Sequence, residues 1–241
     1  LNKFVFIIPS YNNKDWYERN LDSVFNQEYK NFRVIYIDDC STDNTYSYVS
    51  SYINRHKCHE KITLIRNNKR VYQTYNRYIA YNLCDDDEIC IMLDGDDWLL
   101  HNRVLNILDE EYNEYNLLAT YGQFKLYANN VVNKSVYGIL SYPEDVVKNN
   151  KYRSYPFLAY HLRTAYSYLF KSVPIEKLKD ENDEWLKRKS DEAEMLWVLE
   201  HSEGRNKNIG QPIYVYNQMN SIRYEDSWFL NKRKEKKLCL S

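Results

Sequence analysis

The sequence predicts an α/β fold with a mostly parallel central sheet flanked by helices. Three observations predict it. Short apolar runs recur at 4–8, 32–37, 61–66 and 88–93. The run 4–8 is continuous rather than alternating in polarity, as a strand buried on both faces is. Between the runs lie stretches with apolar residues at helical spacing, the order expected of βα units.

Taken in order, the run 4–8 is broken by Pro9-Ser10-Tyr11-Asn12. Over 14–28, Trp16, Leu21, Val24 and Phe25 fall on one helical face. The run 32–37 ends at Asp38-Asp39, and Ser41-Thr42-Asp43 reads as a helix start, with Ser or Thr as cap and an acid in the first turn. After 61–66, Tyr72, Tyr75, Ile79 and Leu83 take helical spacing. The run 88–93 ends at Asp94-Gly95-Asp96-Asp97, and a helix over 99–112 turns Val104, Leu105 and Leu108 inward. Residues 117–124 read as a fifth strand. The second half is less regular. It predicts a strand near 131–137, a loop through Pro143 and Pro156, and a helix over 160–172. A charged surface excursion over 176–190 follows, then a helix over 191–202 on Ala193, Leu196 and Leu199, and a strand at 213–216. No internal repeat or flexible linker interrupts the chain, so one domain over 1–241 is expected.

Composition narrows the function. The chain has 241 residues, with 33 Lys plus Arg against 34 Asp plus Glu. That balance excludes a basic nucleic-acid coat, and no nucleic-acid partner is expected. The basic run at 232–237 reads as a solvated helix end. A mean hydropathy of −0.74 and the lack of a long apolar run predict no transmembrane segment. Residues 3–9 are too short for a signal sequence and read as a buried strand. The five glycines show neither GxGxxG nor GxxxxGK spacing, so no dinucleotide fingerprint or P-loop is expected. Five cysteines, none in a CxxC pair, predict a reduced, cytoplasmic compartment. Tyr reaches 25 copies, a number that an AT-rich coding sequence explains as readily as selection does.

Open α/β sheets bind ligands at the carboxyl ends of their strands. Three polar clusters fall there: Pro9-Ser10-Tyr11, Asp38-Asp39 and Asp94-Gly95-Asp96-Asp97. The last is the sharpest. Its three carboxylates repel one another unless a cation or fixed donors neutralise them, and hard oxygen ligands suit Mg2+ or Mn2+. Gly95 lets the backbone approach a ligand closely. The competing reading, an acidic helix cap, accounts for one aspartate. Tyr11 is placed to stack on a base and Asp39 to accept a hydrogen bond from base or ribose. Asp85-Asp86-Asp87 precedes its strand and reads as a turn at the opposite end.

These residues resemble family 2 inverting glycosyltransferases of GT-A fold (the nucleotide-diphospho-sugar transferase fold). The match runs through Ile7-Ile8-Pro9-Ser10-Tyr11-Asn12, Leu21-Asp22-Ser23-Val24 with Gln27, the stretch 34–43, and Leu93-Asp94-Gly95-Asp96-Asp97. It covers roughly residues 3–125 and is specific in combination, whereas a DxD triplet alone is common. The resemblance implies a nucleotide-sugar donor, most often a UDP-sugar, a divalent Mn2+ or Mg2+, and a glycan or glycoprotein acceptor. The donor part is expected over 1–125 and the acceptor part over 126–241. Carried over by position, Pro9, Tyr11 and Asp39 line the nucleoside pocket, with Asn67, Asn68 and Lys69 approaching the nucleotide. Asp94 faces ribose or metal, Asp96 is the main metal ligand, and Asp97 assists either. The family's base, an acidic pair opening a late helix, corresponds to Asp191-Glu192. The order departs from the more usual Glu-Asp, so either residue fits, with Asp191 preferred. His161 and Arg163 are placed to contact acceptor or diphosphate, or else form a buried polar pair. Trp98, Trp185 and Trp228 are stacking candidates for an acceptor sugar or simply core. Two other readings remain: a sugar nucleotidyltransferase, against which the lack of a Gly-rich basic loop over 8–15 counts, and a non-catalytic carbohydrate-binding domain.

Overall fold

A computed structural model describes residues 1–220. Trp228, the basic run at 232–237 and Cys239 lie outside the described residues. The chain opens with β1 (Lys3–Ser10), α1 (Tyr17–Phe25), β2 (Phe32–Asp38), α2 (Thr45–His56), β3 (Ile62–Arg66), α3 (Tyr72–Tyr81) and β4 (Glu88–Met92). It continues through β5 (Trp98–Leu99), α4 (Val104–Tyr115), β6 (Ala119–Ala128), β7 (Val131–Tyr137), α5 (Glu144–Lys148), β8 (Arg163–Tyr166), α6 (Ser167–Lys171), α7 (Ser190–Glu200) and β9 (Asn206–Asn217).

The strands form one nine-stranded sheet in the order β3-β2-β1-β4-β8-β6-β9-β5, with β7 on β6. From β3 to β4 every pairing is parallel. Beyond β4 the pairing is antiparallel apart from β6 with β9. Adjacent side chains of β1 point to opposite faces. Phe4, Phe6 and Ile8 pack with Leu21 of α1, Val49 of α2 and Leu105 of α4. Val5 and Ile7 pack with Ala80 of α3, Phe170 of α6 and Val198 of α7. Cover on both faces is why the run 4–8 is apolar throughout.

Several expectations need correction. The first helix spans Tyr17–Phe25 rather than 14–28. The second starts at Thr45, after Asn44 in the left-handed region at φ 70°. Asp43 Oδ1 accepts its first N–H, from Thr45, at 3.0 Å, and Ser41 and Thr42 lie outside the helix. The expected helix over 160–172 is a strand, β8, followed by the short α6, because residues 163–166 pair with β4. The late strand runs Asn206–Asn217, well beyond 213–216. The residues that mark α3 and α7 in the sequence are only partly the ones they bury. On α3 the buried residues are Thr74, Asn76, Arg77, Ala80 and Tyr81, whereas Leu83 is exposed. On α7 they are Ser190, Glu194, Met195, Val198 and Leu199. In each helix the buried stripe carries a charge, which hydrophobic periodicity does not see.

Candidate active site

The parallel register sets the strand ends side by side. Ser10 of β1 pairs with Asp38 of β2, and Met92 of β4 pairs with Arg163 of β8. A cavity of about 360 Å³ opens above these ends. Pro9, Tyr11, Asp39, Asp94, Gly95, Asp96, His161, Arg163 and Asp191 all line it. Asn67, Asn68, Lys69, Asp97 and Glu192 are not among its lining residues.

The acidic loop is held by amides. Asn20 of α1 donates to the carbonyls of Asp94 (3.0 Å) and Asp97 (2.7 Å), and Asn217 of β9 donates to that of Asp96 (3.0 Å). Asp94 and Asp96 thus present carboxylates to the cavity, with Asn220 donating to Asp96 Oδ2 at 3.1 Å. Asp97 is turned away. Its carboxylate is fully buried and accepts from the Tyr214 hydroxyl (2.6 Å) and the Asn217 N–H (2.7 Å), fastening β9 to the loop. Fixed donors, the alternative to a cation, are therefore present: two on Asp97 and the Asn220 amide on Asp96. Gly95 also needs reinterpretation. A Cβ there would meet the Ser10 Cβ and the Asn13 Nδ2, both at 2.8 Å, so the close approach is to the end of β1.

Two carboxylates suit a hard cation that is also held by substrate phosphates, since Mg2+-type sites commonly use one or two protein carboxylates and complete the shell with phosphate and water. Among the described residues no group of three or more His, Cys, Asp or Glu gathers to hold a metal. The residues present fit an ion shared with a ligand rather than a closed protein cage.

Asp39 accepts from Asn67 Nδ2 (2.8 Å) and from the N–H groups of Val71 and Tyr72 (both 2.9 Å). Asn67 therefore reaches the site through Asp39, whereas Asn68 and Lys69 are exposed. Arg70 lays its guanidinium over the Tyr11 ring, 3.8 Å from its centre. On the opposite wall, Arg163 Nη2 pairs with Asp191 Oδ2 at 2.8 Å, and Arg163 Nε donates to the Ala159 carbonyl at 2.7 Å. Burial raises the Asp191 carboxyl, but the Arg163 and Arg77 guanidiniums outweigh it and leave it below its ordinary value. His161 stacks on Tyr214, their rings 4.6 Å apart, and contacts Arg163 at 3.3 Å. Glu192 faces Lys189 at 3.9 Å instead.

Arg70, Arg77, Lys187, Tyr216 and Asn220 also line the cavity and were missed from sequence. Only Arg77 left a trace, as a charge on the α3 stripe that carries Ala80 and Tyr81. Two tryptophans sit elsewhere. Trp98 is buried between Trp16 and Tyr127, and Trp185 packs on Tyr75 and Tyr78.

The family model described as glycosyl transferase family 2 matches residues 5–171. The chain belongs to that family. Among curated family 2 relatives, the Escherichia coli UDP-Glc:alpha-D-GlcNAc-diphosphoundecaprenol beta-1,3-glucosyltransferase WfaP is 29% identical over 142 residues, covering 58% of this chain and 51% of WfaP. The chain spans about half or less of the length of the curated relatives it matches. Staphylococcus aureus TarS 1–349, solved with UDP-GlcNAc, superposes with a TM-score of 0.65 at 19% identity, covering 91% of this chain and 59% of TarS 1–349. The Pyrobaculum calidifontis mannosyltransferase PcManGT, solved with GDP-Man and Mn2+, gives 0.57 at 17% identity, covering 89% of this chain and 56% of PcManGT. At these identities the structural likenesses establish the fold. No helix among the described residues of this family 2 chain is long and apolar enough to cross a membrane.

Proposed function

We propose that the chain is a metal-dependent inverting glycosyltransferase that moves a sugar from a UDP-sugar to a hydroxyl of a glycan acceptor. In this reading one domain carries the donor on 1–125 and the acceptor on 126–241. The observation that carries it is a single cleft shared by Tyr11, Asp39, Asp94, Asp96 and Asp191. WfaP is named for a UDP-sugar donor and TarS was solved with one, which supports the same donor class here.

Tyr11 offers a ring to the base. A carboxylate has about four acceptor positions, and Asn67, Val71 and Tyr72 occupy three of those on Asp39. One position remains, which suits the single imide N–H of uracil better than the paired donors of guanine. Arg77 is committed to Glu194, so the cavity's acids, Asp39, Asp94, Asp96 and Asp191, face only Arg70, Arg163 and Lys187 among its remaining Arg and Lys side chains. The added charge of a diphosphate therefore calls for an added cation. Asp96 with Asp94 would hold it, and the ion would stabilise the charge of the departing nucleoside diphosphate. Asp191 takes the proton of the acceptor hydroxyl, which attacks the anomeric carbon on the face opposite the leaving group, so the configuration inverts. Arg163 fixes the Asp191 carboxylate for that task. Confining both partners in one cleft lowers the barrier further.

The test is a hydrolysis screen across nucleotide sugars with and without Mn2+. Metal-dependent release of UDP from one donor is expected. Failure to bind or turn over any donor, metal present, overturns the reading.

A further inference from the structure

Between α3 and α7 runs a polar seam inside the core. The Arg77 and Glu194 side chains are 3% and 1% exposed. Arg77 Nε donates to both Glu194 oxygens (2.9 and 3.2 Å), Nη2 to Ser190 Oγ (2.5 Å) and Nη1 to Gln73 Oε1 (3.3 Å). The Tyr81 hydroxyl adds a contact to Glu194 at 3.3 Å. Thr74 Oγ1 also donates to the Leu186 carbonyl. Both ends of this seam reach the site. Arg77 and Gln73 line the cavity, and Ser190 immediately precedes Asp191. The start of α3 is in turn held by Asp39 through Val71 and Tyr72. An unbroken series of contacts thus joins the nucleoside wall to the wall that bears Asp191.

We propose that Arg77, held by Glu194 and Ser190, is a positioning residue that sets Asp191 at its working distance from the donor wall. This rests on the reading of Asp191 as the base. Stability alone gives little reason for the arrangement, because apolar residues of similar volume often replace a buried ion pair without loss. Geometry gives a better one. The planar fork of arginine reaches Glu194, Ser190 and Gln73 at once, and a lysine ammonium does not reproduce that fork. Two helices packed only by apolar contacts can slide by fractions of an ångström. A forked, buried donor set cannot slide without losing its partners.

The experiment uses the full chain and the donor found by the hydrolysis screen. It compares Asp191→Asn, Arg77→Lys and the double variant Arg77→Met with Glu194→Met, which leaves no buried charge unpaired. Melting temperature, UDP affinity with Mn2+, and kcat and KM per UDP-binding site are measured. The double variant is expected to melt near the parent, to bind UDP as the parent does, and to keep KM while kcat falls about a hundredfold. Arg77→Lys is expected to fall short of the parental kcat. A double variant with parental kcat per binding site overturns the proposal, as does full activity in Arg77→Lys. If Asp191→Asn stays fully active, the assignment of the base fails first. If Asp191→Asn is inactive while the Arg77 variants are unaffected, the positioning role alone fails.

Discussion

The two walls of the cleft are built differently. One wall comes from four parallel strands whose ends fall in register, and its residues follow those strands. The opposite wall comes from an antiparallel strand, β8, and a helix that starts after a long excursion. Its geometry depends on pairwise contacts between side chains distant in sequence, such as Arg163 with Asp191 and Arg77 with Glu194. The first wall is therefore positioned by strand ladders and side-chain amides, and the other wall by ion pairs. A backbone ladder tolerates side-chain change better than an ion-pair seam does, so substitutions should separate the two.

The largest effect is expected from Asp191→Asn, which should leave UDP affinity intact while turnover drops by about 10²–10⁴. Full turnover in that variant would move the base to Glu192 or elsewhere. Asp96→Ala should reverse the pattern. Calorimetry should lose the Mn2+ dependence of UDP binding, with turnover down at least about a hundredfold. Next comes Asp97→Asn, which leaves the Tyr214 hydroxyl and the Asn217 N–H short of their charged acceptor. It should cost about 1–3 kcal/mol of stability by chemical denaturation, with UDP affinity retained. Lost affinity in a stable variant would return Asp97 to the site. The smallest effect is a shift in pH dependence. Asp191 is held below its ordinary value, so its activity should persist into mild acid and fade only as pH drops through that depressed value. Arg163→Gln removes the nearer guanidinium, and the acid limb of kcat should move to higher pH. A limb that stays in place would separate Arg163 from the proton acceptor.

The same contrast explains what sequence could disclose. Strands β1, β2 and β4 are covered on both faces, so their apolar runs mark them closely. The first half of β9 reads Asn-Lys-Asn-Ile-Gly-Gln-Pro and hides a strand that pairs with β6 through shifts in register. Arg77 and Glu194 neutralise each other across the helices, so neither stripe looks buried when read alone. Asp94, Asp96 and Asp97 look equivalent in a row of letters. Their division into cavity-facing and buried acids follows from Tyr214 and Asn217, over a hundred positions away. Tyr11 and Asp39 were legible because a polar residue straight after a buried strand has one place to go.

Gly95 has a consequence for how the cleft receives a ligand. With Ser10 and Asn13 filling the volume that a side chain would take, the base of the cleft is complete once the protein has folded. Little conformational freedom is left there for a ligand to freeze, so affinity at this end is not offset by the cost of ordering it. Enlarging that residue by one methyl would force the two strand ends apart and turn a ready receptor into one that must be assembled at each encounter.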